Sequence, residues 1–310
     1  MFGRRSWVFV LLLVLLTAVA CQGAANAPAE QAASGETVAA AATAVVEQVA
    51  DAADTAADAA MLPEVTFAAK DNAYQGPESI SGGWTKVIFD NQDAAPHELV
   101  LVQLLEGKTM DDVLPILDSE DGPPSWAAIR GSLSAAGGES TSFIGDLEPG
   151  SYVMLSTAGG EEGPPDFAQG LLRELTVTEA TAEVPDSALP QPDATIKLVD
   201  YQFVVDGLKS GSQLVRYSNE GTETHEAVMF RLAEGKTMDD FMAFMEADGE
   251  DAPPPFDGEP TFTMLAPGSV VYNTLELESG NYVLICFLPS ESHDNTPHAM
   301  LGMISEVTIE

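Results

Sequence analysis

The sequence predicts an all-β protein built from two tandem β-sandwiches, each interrupted by a short helix. Runs rich in β-branched and aromatic residues, bounded by Gly, Pro and Asn, recur at spacings typical of a sandwich. The hexapeptide GKTMDD occurs twice, at Gly107–Asp112 and at Gly235–Asp240, which indicates an internal repeat. The chain has 310 residues, which leaves room for two such domains and additional segments.

The N-terminal segment has the pattern of an export signal. Arg4 and Arg5 form a basic start, and the apolar run from Trp7 to Leu16 is too short to span a bilayer. The following Ala18-Val19-Ala20-Cys21 resembles a bacterial lipobox. We therefore expect residues 1–21 to be a signal peptide that ends at a lipidated Cys21. Ordinary cleavage, which would give a secreted periplasmic or extracellular protein, is the alternative.

Two segments of biased composition divide the rest of the chain. Residues 22–61 are mostly Ala with acidic residues, Thr and Gln, and they contain no aromatic side chain. Because such a sequence cannot build a core, we expect a tether. Residues 181–193 carry several prolines and form the second linker. The predicted domains are therefore residues 62–180 and residues 194–310.

Further matches in the same order along both domains indicate that the two domains arose by duplication. His97-Glu98 in the first domain matches His225-Glu226 in the second, and each pair stands ahead of its hexapeptide. Five runs in the two domains are typical of strands, namely Lys86–Phe89, Leu99–Leu104, Leu214–Tyr217, Thr261–Leu265 and Tyr282–Phe287.

The repeated hexapeptide also marks the start of a helix. Thr109 and Thr237 each stand three residues before an Asp, which is the spacing of a helix cap. Apolar periodicity follows the second copy in Phe241–Met245. We expect a short helix across one end of each sandwich.

The charge of the chain bears on its partners. It has 49 acidic and 12 basic residues, with a formal net charge of -37. This charge argues against nucleic acid or an anionic membrane surface as a partner. It suits a cationic partner, although solubility alone would also account for it.

Cysteine and histidine are scarce, and their order in the second domain indicates a metal site. If Cys21 carries lipid, Cys286 is an unpaired thiol in an oxidising compartment, so burial or a bound metal must protect it. A blue-copper site needs two imidazole nitrogens, one thiolate and a weak axial thioether. His225, Cys286, His298 and Met303 offer these four donors.

This order of residues resembles the cupredoxins, the plastocyanin-like family of type 1 blue copper proteins. His225 follows an Asn-containing strand end, and the run ending at Cys286 is similar to the penultimate strand of that family. Pro297–Met303 is similar to its loop exit. The resemblance implies Greek-key sandwiches and one copper held by the residues listed above. The loop after Cys286 is longer than in plastocyanin and contains His293, which stays an alternative to His298 as a ligand.

Two further expectations concern the ligand set. Met300 is a second candidate for the axial position that we assign to Met303. In the first domain, Ser156, Asp166 and Leu171 stand opposite Cys286, His298 and Met303, and only His97 is retained. Because a serine hydroxyl stays protonated near neutral pH, we expect no type 1 copper in the first domain.

The resemblance implies an electron carrier rather than an enzyme. The chain has four His, too few for the catalytic copper of multicopper oxidases or copper nitrite reductases, and no hydrolase or nucleotide motif competes. We expect a redox partner with a basic surface and a port at the His298 edge beside Ala299–Leu301. A copper-storing or copper-delivering lipoprotein and a metal-free binding module are the alternatives.

Overall fold

The computed structural model describes residues 62–117, 122–159, 164–247 and 253–310. The predicted signal peptide, the Ala-rich tether and Cys21 lie outside the described residues. No helix in the described ranges is long and apolar enough to cross a membrane.

The first half of the described chain is a two-layered β-sandwich. One layer contains β2, β1, β4 and β7, and the other has the strand order β3-β9-β8-β5-β6. The strands are β1 (Glu64–Lys70), β2 (Ala73–Gln75), β3 (Ser79–Ser81), β4 (Gly83–Asn91), β5 (His97–Leu104), β6 (Ala127–Ala135), β7 (Ser140–Leu147), β8 (Gly150–Leu155) and β9 (Leu172–Thr178).

The second half is also a two-layered β-sandwich, with four strands in each layer. Its layers are β11-β10-β12-β15 and β14-β13-β16-β19, and β17 and β18 form a small ribbon. The strands are β10 (Ala194–Val199), β11 (Gln202–Asp206), β12 (Gly211–Asn219), β13 (His225–Leu232), β14 (Phe256–Leu265), β15 (Val270–Leu277), β16 (Gly280–Ile285), β17 (Pro289–Ser290), β18 (Thr296–Pro297) and β19 (Ile304–Ile309). The five predicted strand runs are confirmed, except that β16 ends at Ile285, one residue before Cys286.

The two halves share one sheet. Strands β7 and β15 pair antiparallel, with Val271 opposite Gly145, Tyr272 opposite Ile144 and Asn273 opposite Phe143. This pairing joins one layer of each half into an eight-stranded sheet with the order β11-β10-β12-β15-β7-β4-β1-β2. Because each half supplies the edge strand that covers the other, neither leaves this edge open for pairing with another chain.

The predicted helices are present, but they lie on a face of each sandwich rather than across its end. They are α1 (Met110–Leu117) and α3 (Met238–Glu246), with the short α2 (Asp166–Gln169) between them. Thr237 and Asp240 form a reciprocal capping box at the start of α3.

The face that α3 covers is set by β13. Val228 and Phe230 point out of the sandwich and pack with Phe241 and Phe244 of α3, whereas Ala227 and Met229 point into the shared core. Since both faces of β13 are apolar, the outer face needs a cover, and the helix supplies it. Residues of α1 cover the matching face of β5 in the first half.

Candidate metal centre

The strand that carries His225 starts from a loop held by Asn219. The Asn219 side-chain amide donates to the backbone oxygens of Glu223 (2.8 Å) and Leu265 (2.7 Å). Its carbonyl oxygen accepts from the Gly221 amide at 2.9 Å. These bonds fix the turn between β12 and β13, so that His225 enters the site as the first residue of β13, fully buried.

The other predicted ligands come from the segment that joins β16 to β19. The amide of Ala299 donates to the Cys286 oxygen (2.9 Å), and the amide of Met303 donates to the His298 oxygen (2.9 Å). The Cys286 amide in turn donates to the Met303 oxygen at 3.1 Å. Gly302 has a φ of 118°, a conformation that suits glycine and lets the chain return to the site. Cys286, His298 and Met303 are all fully buried here.

Three donor atoms, from His225, His298 and Cys286, lie close together. The Nδ1 atoms of His225 and His298 are 3.0 Å apart, and the Cys286 sulfur lies 3.3 Å from the His298 Nδ1. All three donor atoms lie within 4.8 Å of one another. The structure therefore brings together three of the four predicted ligands, and Met303 is buried in the same core cluster as Cys286.

The hydrogen bonds of the two imidazoles test whether a cation fits between them. The Nε2 of His225 lies 2.6 Å from Asp200 Oδ1, and the Nε2 of His298 lies 2.8 Å from Glu223 Oε2. Each Nε2 therefore carries the proton, since a carboxylate can only accept. In the neutral rings both Nδ1 atoms then face each other as bare acceptors. Two facing lone pairs beside a sulfur fit a bound metal ion.

The protonation of the surrounding groups agrees with this arrangement. Burial lowers the pKa of both His225 and His298, with Asp200 and Glu223 acting in the opposite direction. Although burial raises it, hydrogen bonds from Thr222 and His225 keep the pKa of Asp200 below its usual value. Both rings are thus neutral near pH 7 while the carboxylate stays charged.

The thiol has a strongly apolar setting. Burial, and then the nearby Glu226 carboxylate, raises the pKa of Cys286 well above its usual value. The backbone amide of Glu226 points at the Cys286 sulfur over 3.4 Å, and its carboxylate accepts from the Phe287 amide at 2.7 Å. Burial raises the pKa of Glu226 itself to about 7. The thiol stays protonated at neutral pH unless a metal ion displaces the proton.

The structure places His293 and Met300, the two alternative ligands left open by the sequence, at the surface. His293 is exposed and lies outside the cluster of donor atoms, with its Nδ1 3.0 Å from the Tyr201 hydroxyl. Met300 is 58% exposed, whereas Met303 is fully buried. His298 therefore lies in the donor cluster and Met303 is buried, while their roles as ligands stay predictions.

The expectation that the edge of His298 reaches the surface is wrong. The His298 side chain is only 1% exposed, and Glu223 covers its outer nitrogen. The ring of Tyr201 packs against it, with 4.9 Å between ring centroids. Burial here arises from the hairpin turn between β10 and β11, which folds Asp200 and Tyr201 over the site.

A hydrogen-bond network occupies the matching place in the first half. Asp166 Oδ2 lies 2.7 Å from His97 Nδ1 and accepts from the Ser156 hydroxyl at 2.7 Å. Backbone bonds match as well, since the Ser156 amide donates to the Leu171 oxygen (3.1 Å) as Cys286 does to Met303. Here a carboxylate, not a second imidazole, faces the histidine.

Sequence reasoning missed Asp200, Tyr201 and Glu223. Glu223 stands two residues before His225, so its closeness in sequence was a usable signal. Asp200 and Tyr201 lie in a distant hairpin, and only the fold brings them to the site.

Comparisons with known proteins give partial likenesses. No protein-family model matches the chain, and no curated protein matches it. Among solved structures, the reduced auracyanin of Roseiflexus castenholzii is 22% identical, with a TM-score of 0.29, over 38% of this chain and 98% of that one. Auracyanin A of Chloroflexus aurantiacus, a "blue" copper protein, is 17% identical, with a TM-score of 0.28, over 37% and 98%. The copper nitrite reductase of Nitrosomonas europaea is 11% identical, with a TM-score of 0.23, over 80% and 93%.

Proposed function

We propose that this chain is an exported type 1 copper protein of the cupredoxin family that carries single electrons. The observation that supports this most is the pair of Nδ1 atoms, 3.0 Å apart, that face each other beside a buried thiol. Two imidazoles, a thiolate and a weak thioether are the donor set of blue copper. Copper in such a site would supply the one-electron couple between Cu(II) and Cu(I).

The residues have separate roles in this proposal. His225 and His298 would offer nitrogen, Cys286 would offer a thiolate, and Met303 would offer a weak thioether. Asp200 and Glu223 keep the ring protons on Nε2, so that both Nδ1 atoms are free for the metal. Burial of all four residues would keep water away from a bound metal.

A carrier fits this site better than an enzyme or a delivery protein. A catalytic metal keeps a coordination position open to substrate, but His225, Cys286, His298 and Met303 each have no exposed surface. A delivery protein must hand its metal over, and buried ligands hinder that transfer.

The first half has a supporting role. We infer that it is a duplicated copy in which the network of His97, Ser156 and Asp166 replaces the metal. It stabilises the second half through the pairing of β7 with β15. One copper per chain follows.

The cellular placement is also part of the proposal. An N-terminal lipid on Cys21 and the Ala-rich tether would hold the protein at the outer face of the cytoplasmic membrane. The net charge of -37 suits a redox protein with a basic surface as partner.

The visible spectrum after addition of Cu(II) to the metal-free protein tests the proposal. We expect an intense thiolate-to-copper band that Cys286→Ser abolishes. Ser156→Ala, at the matching place in the first half, should leave the band unchanged. A colourless protein that binds Cu(I) would instead support storage or delivery, and a protein that binds no copper would leave only a binding module.

A further inference from the structure

The four donors lie behind other side chains. His225, Cys286, His298 and Met303 have no exposed surface, and both outer nitrogens are bonded to carboxylates. An external redox partner therefore cannot touch a ligand directly. Because electron tunnelling weakens steeply with distance and across non-bonded gaps, the side chains that cover the site decide where electrons pass.

The aromatic ring of Tyr201 contacts both imidazoles. Its ring centroid lies 4.9 Å from that of His298 and 6.2 Å from that of His225. It is partly exposed, so the side chain joins the buried site to the surface.

A second aromatic ring extends this contact outward. The exposed ring of His293 packs edge-on against Tyr201, with centroids 5.3 Å apart. The Tyr201 hydroxyl is bonded to His293 Nδ1 at 3.0 Å and to Ser290 Oγ at 3.0 Å. Ser292 Oγ and Glu223 Oε1 also lie within hydrogen-bond distance of this hydroxyl, at 3.1 Å and 3.3 Å. Because these partners surround the hydroxyl, the ring is held in one orientation.

We propose that electrons enter and leave the metal site through His293 and Tyr201. This inference rests on the proposed copper function. In the step itself, the partner loses one electron and Cu(II) becomes Cu(I), while no bond forms and no proton moves. Tyr201 and His293 provide the contact path and are unchanged at the end.

The charges around this path favour a partner with a positive charge. Glu291 and Asp294 flank His293 and are exposed, and Asp200 and Glu223 border Tyr201. A cationic partner is drawn to this face, and salt screens the attraction. The competing port is Met300, which is exposed in the turn His298–Leu301.

The test is the rate at which hexaammineruthenium(II), a cationic one-electron reductant, bleaches the copper-loaded full chain. The variants are Tyr201→Leu, which removes the ring, and His293→Leu, which changes an exposed residue outside the ligand cluster. We expect a severalfold loss of rate in each, after correction for the measured midpoint potential. Met300→Ser should keep the wild-type rate.

A second readout uses the metal-free protein. If Tyr201 covers the site, Tyr201→Leu should speed the reaction of Cys286 with 5,5′-dithiobis(2-nitrobenzoate), whereas His293→Leu should not. A merely structural role for His293 would change the spectrum or the potential rather than the corrected rate.

The outcomes separate the two proposals. A wild type without the thiolate-to-copper band would overturn the copper function, and the path with it. A coloured wild type whose rate is unchanged in both His293→Leu and Tyr201→Leu, or falls in Met300→Ser, would overturn the path alone.

Discussion

The carboxylates behind the two histidines should control how tightly the site binds copper. Asp200 and Glu223 accept from His225 Nε2 (2.6 Å) and His298 Nε2 (2.8 Å). Asp200→Asn and Glu223→Gln remove the charge but keep a side chain of the same shape. The amide can also donate to Nε2, which would move the ring proton to Nδ1 and block the metal.

The expected size follows from partners of metal-bound histidines. Loss of such a partner lowers metal affinity by about 10- to 100-fold, which corresponds to about 1.4–2.8 kcal/mol. Glu223 is less exposed than Asp200, at 15% against 25%. We therefore expect the larger loss for Glu223→Gln, since solvent screens a buried charge less.

The assay is competition for copper against a chelator of known affinity. Glu306→Gln removes the same charge from an exposed position on β19 and serves as the matched control. If Asp200→Asn and Glu223→Gln bind copper as tightly as Glu306→Gln does, the assignment of ring protons to Nε2 is wrong.

Three further predictions concern the rest of the chain. Asp166→Ala removes the hydrogen-bond acceptor of both His97 and Ser156, so urea unfolding should show that the free energy of unfolding falls by about 1–3 kcal/mol. The copper spectrum should stay unchanged, and an altered spectrum would contradict the separate roles of the two halves. Burial raises the pKa of Glu98, so the folded protein holds its proton more tightly than the unfolded chain. The free energy of unfolding should then fall as pH rises from the unfolded pKa through the folded one, and a pH series should show that Glu98→Gln flattens this fall. Cys21→Ser should move the protein from the membrane fraction to the soluble fraction, and equal fractionation of both forms would argue against lipid attachment.

The order of donors along the sequence predicted the cluster of His225, Cys286 and His298, because histidine and cysteine are scarce. With few histidines and one cysteine in the second half, His225, Cys286, His298 and Met303 could be selected by type and spacing. The strands could also be predicted, since runs of β-branched and aromatic residues are bounded by turn residues. Thr237 with Asp240 marked the start of α3 through a local bond that needs no tertiary contact.

The residues that cover the donor cluster could not be predicted in the same way. Asp200 and Tyr201 reach His225 and His298 only through the pairing of β10 with β12, and nothing local to their sequence marks them. The resemblance to cupredoxins placed His298 near the surface, whereas tertiary contacts with Tyr201 and Glu223 bury it. The shared sheet could not be predicted, because the sequences of β7 and β15 contain no pattern that specifies which strand pairs with which.

Anomalous scattering from crystals of the copper-loaded full chain, measured at the copper edge, tests the central claim most directly. We predict one peak per chain, between the Nδ1 atoms of His225 and His298 and the sulfur of Cys286, with none beside Ser156. A peak at His293 or in the first half, or no peak in a crystal soaked with copper, would contradict the assignment of the metal centre.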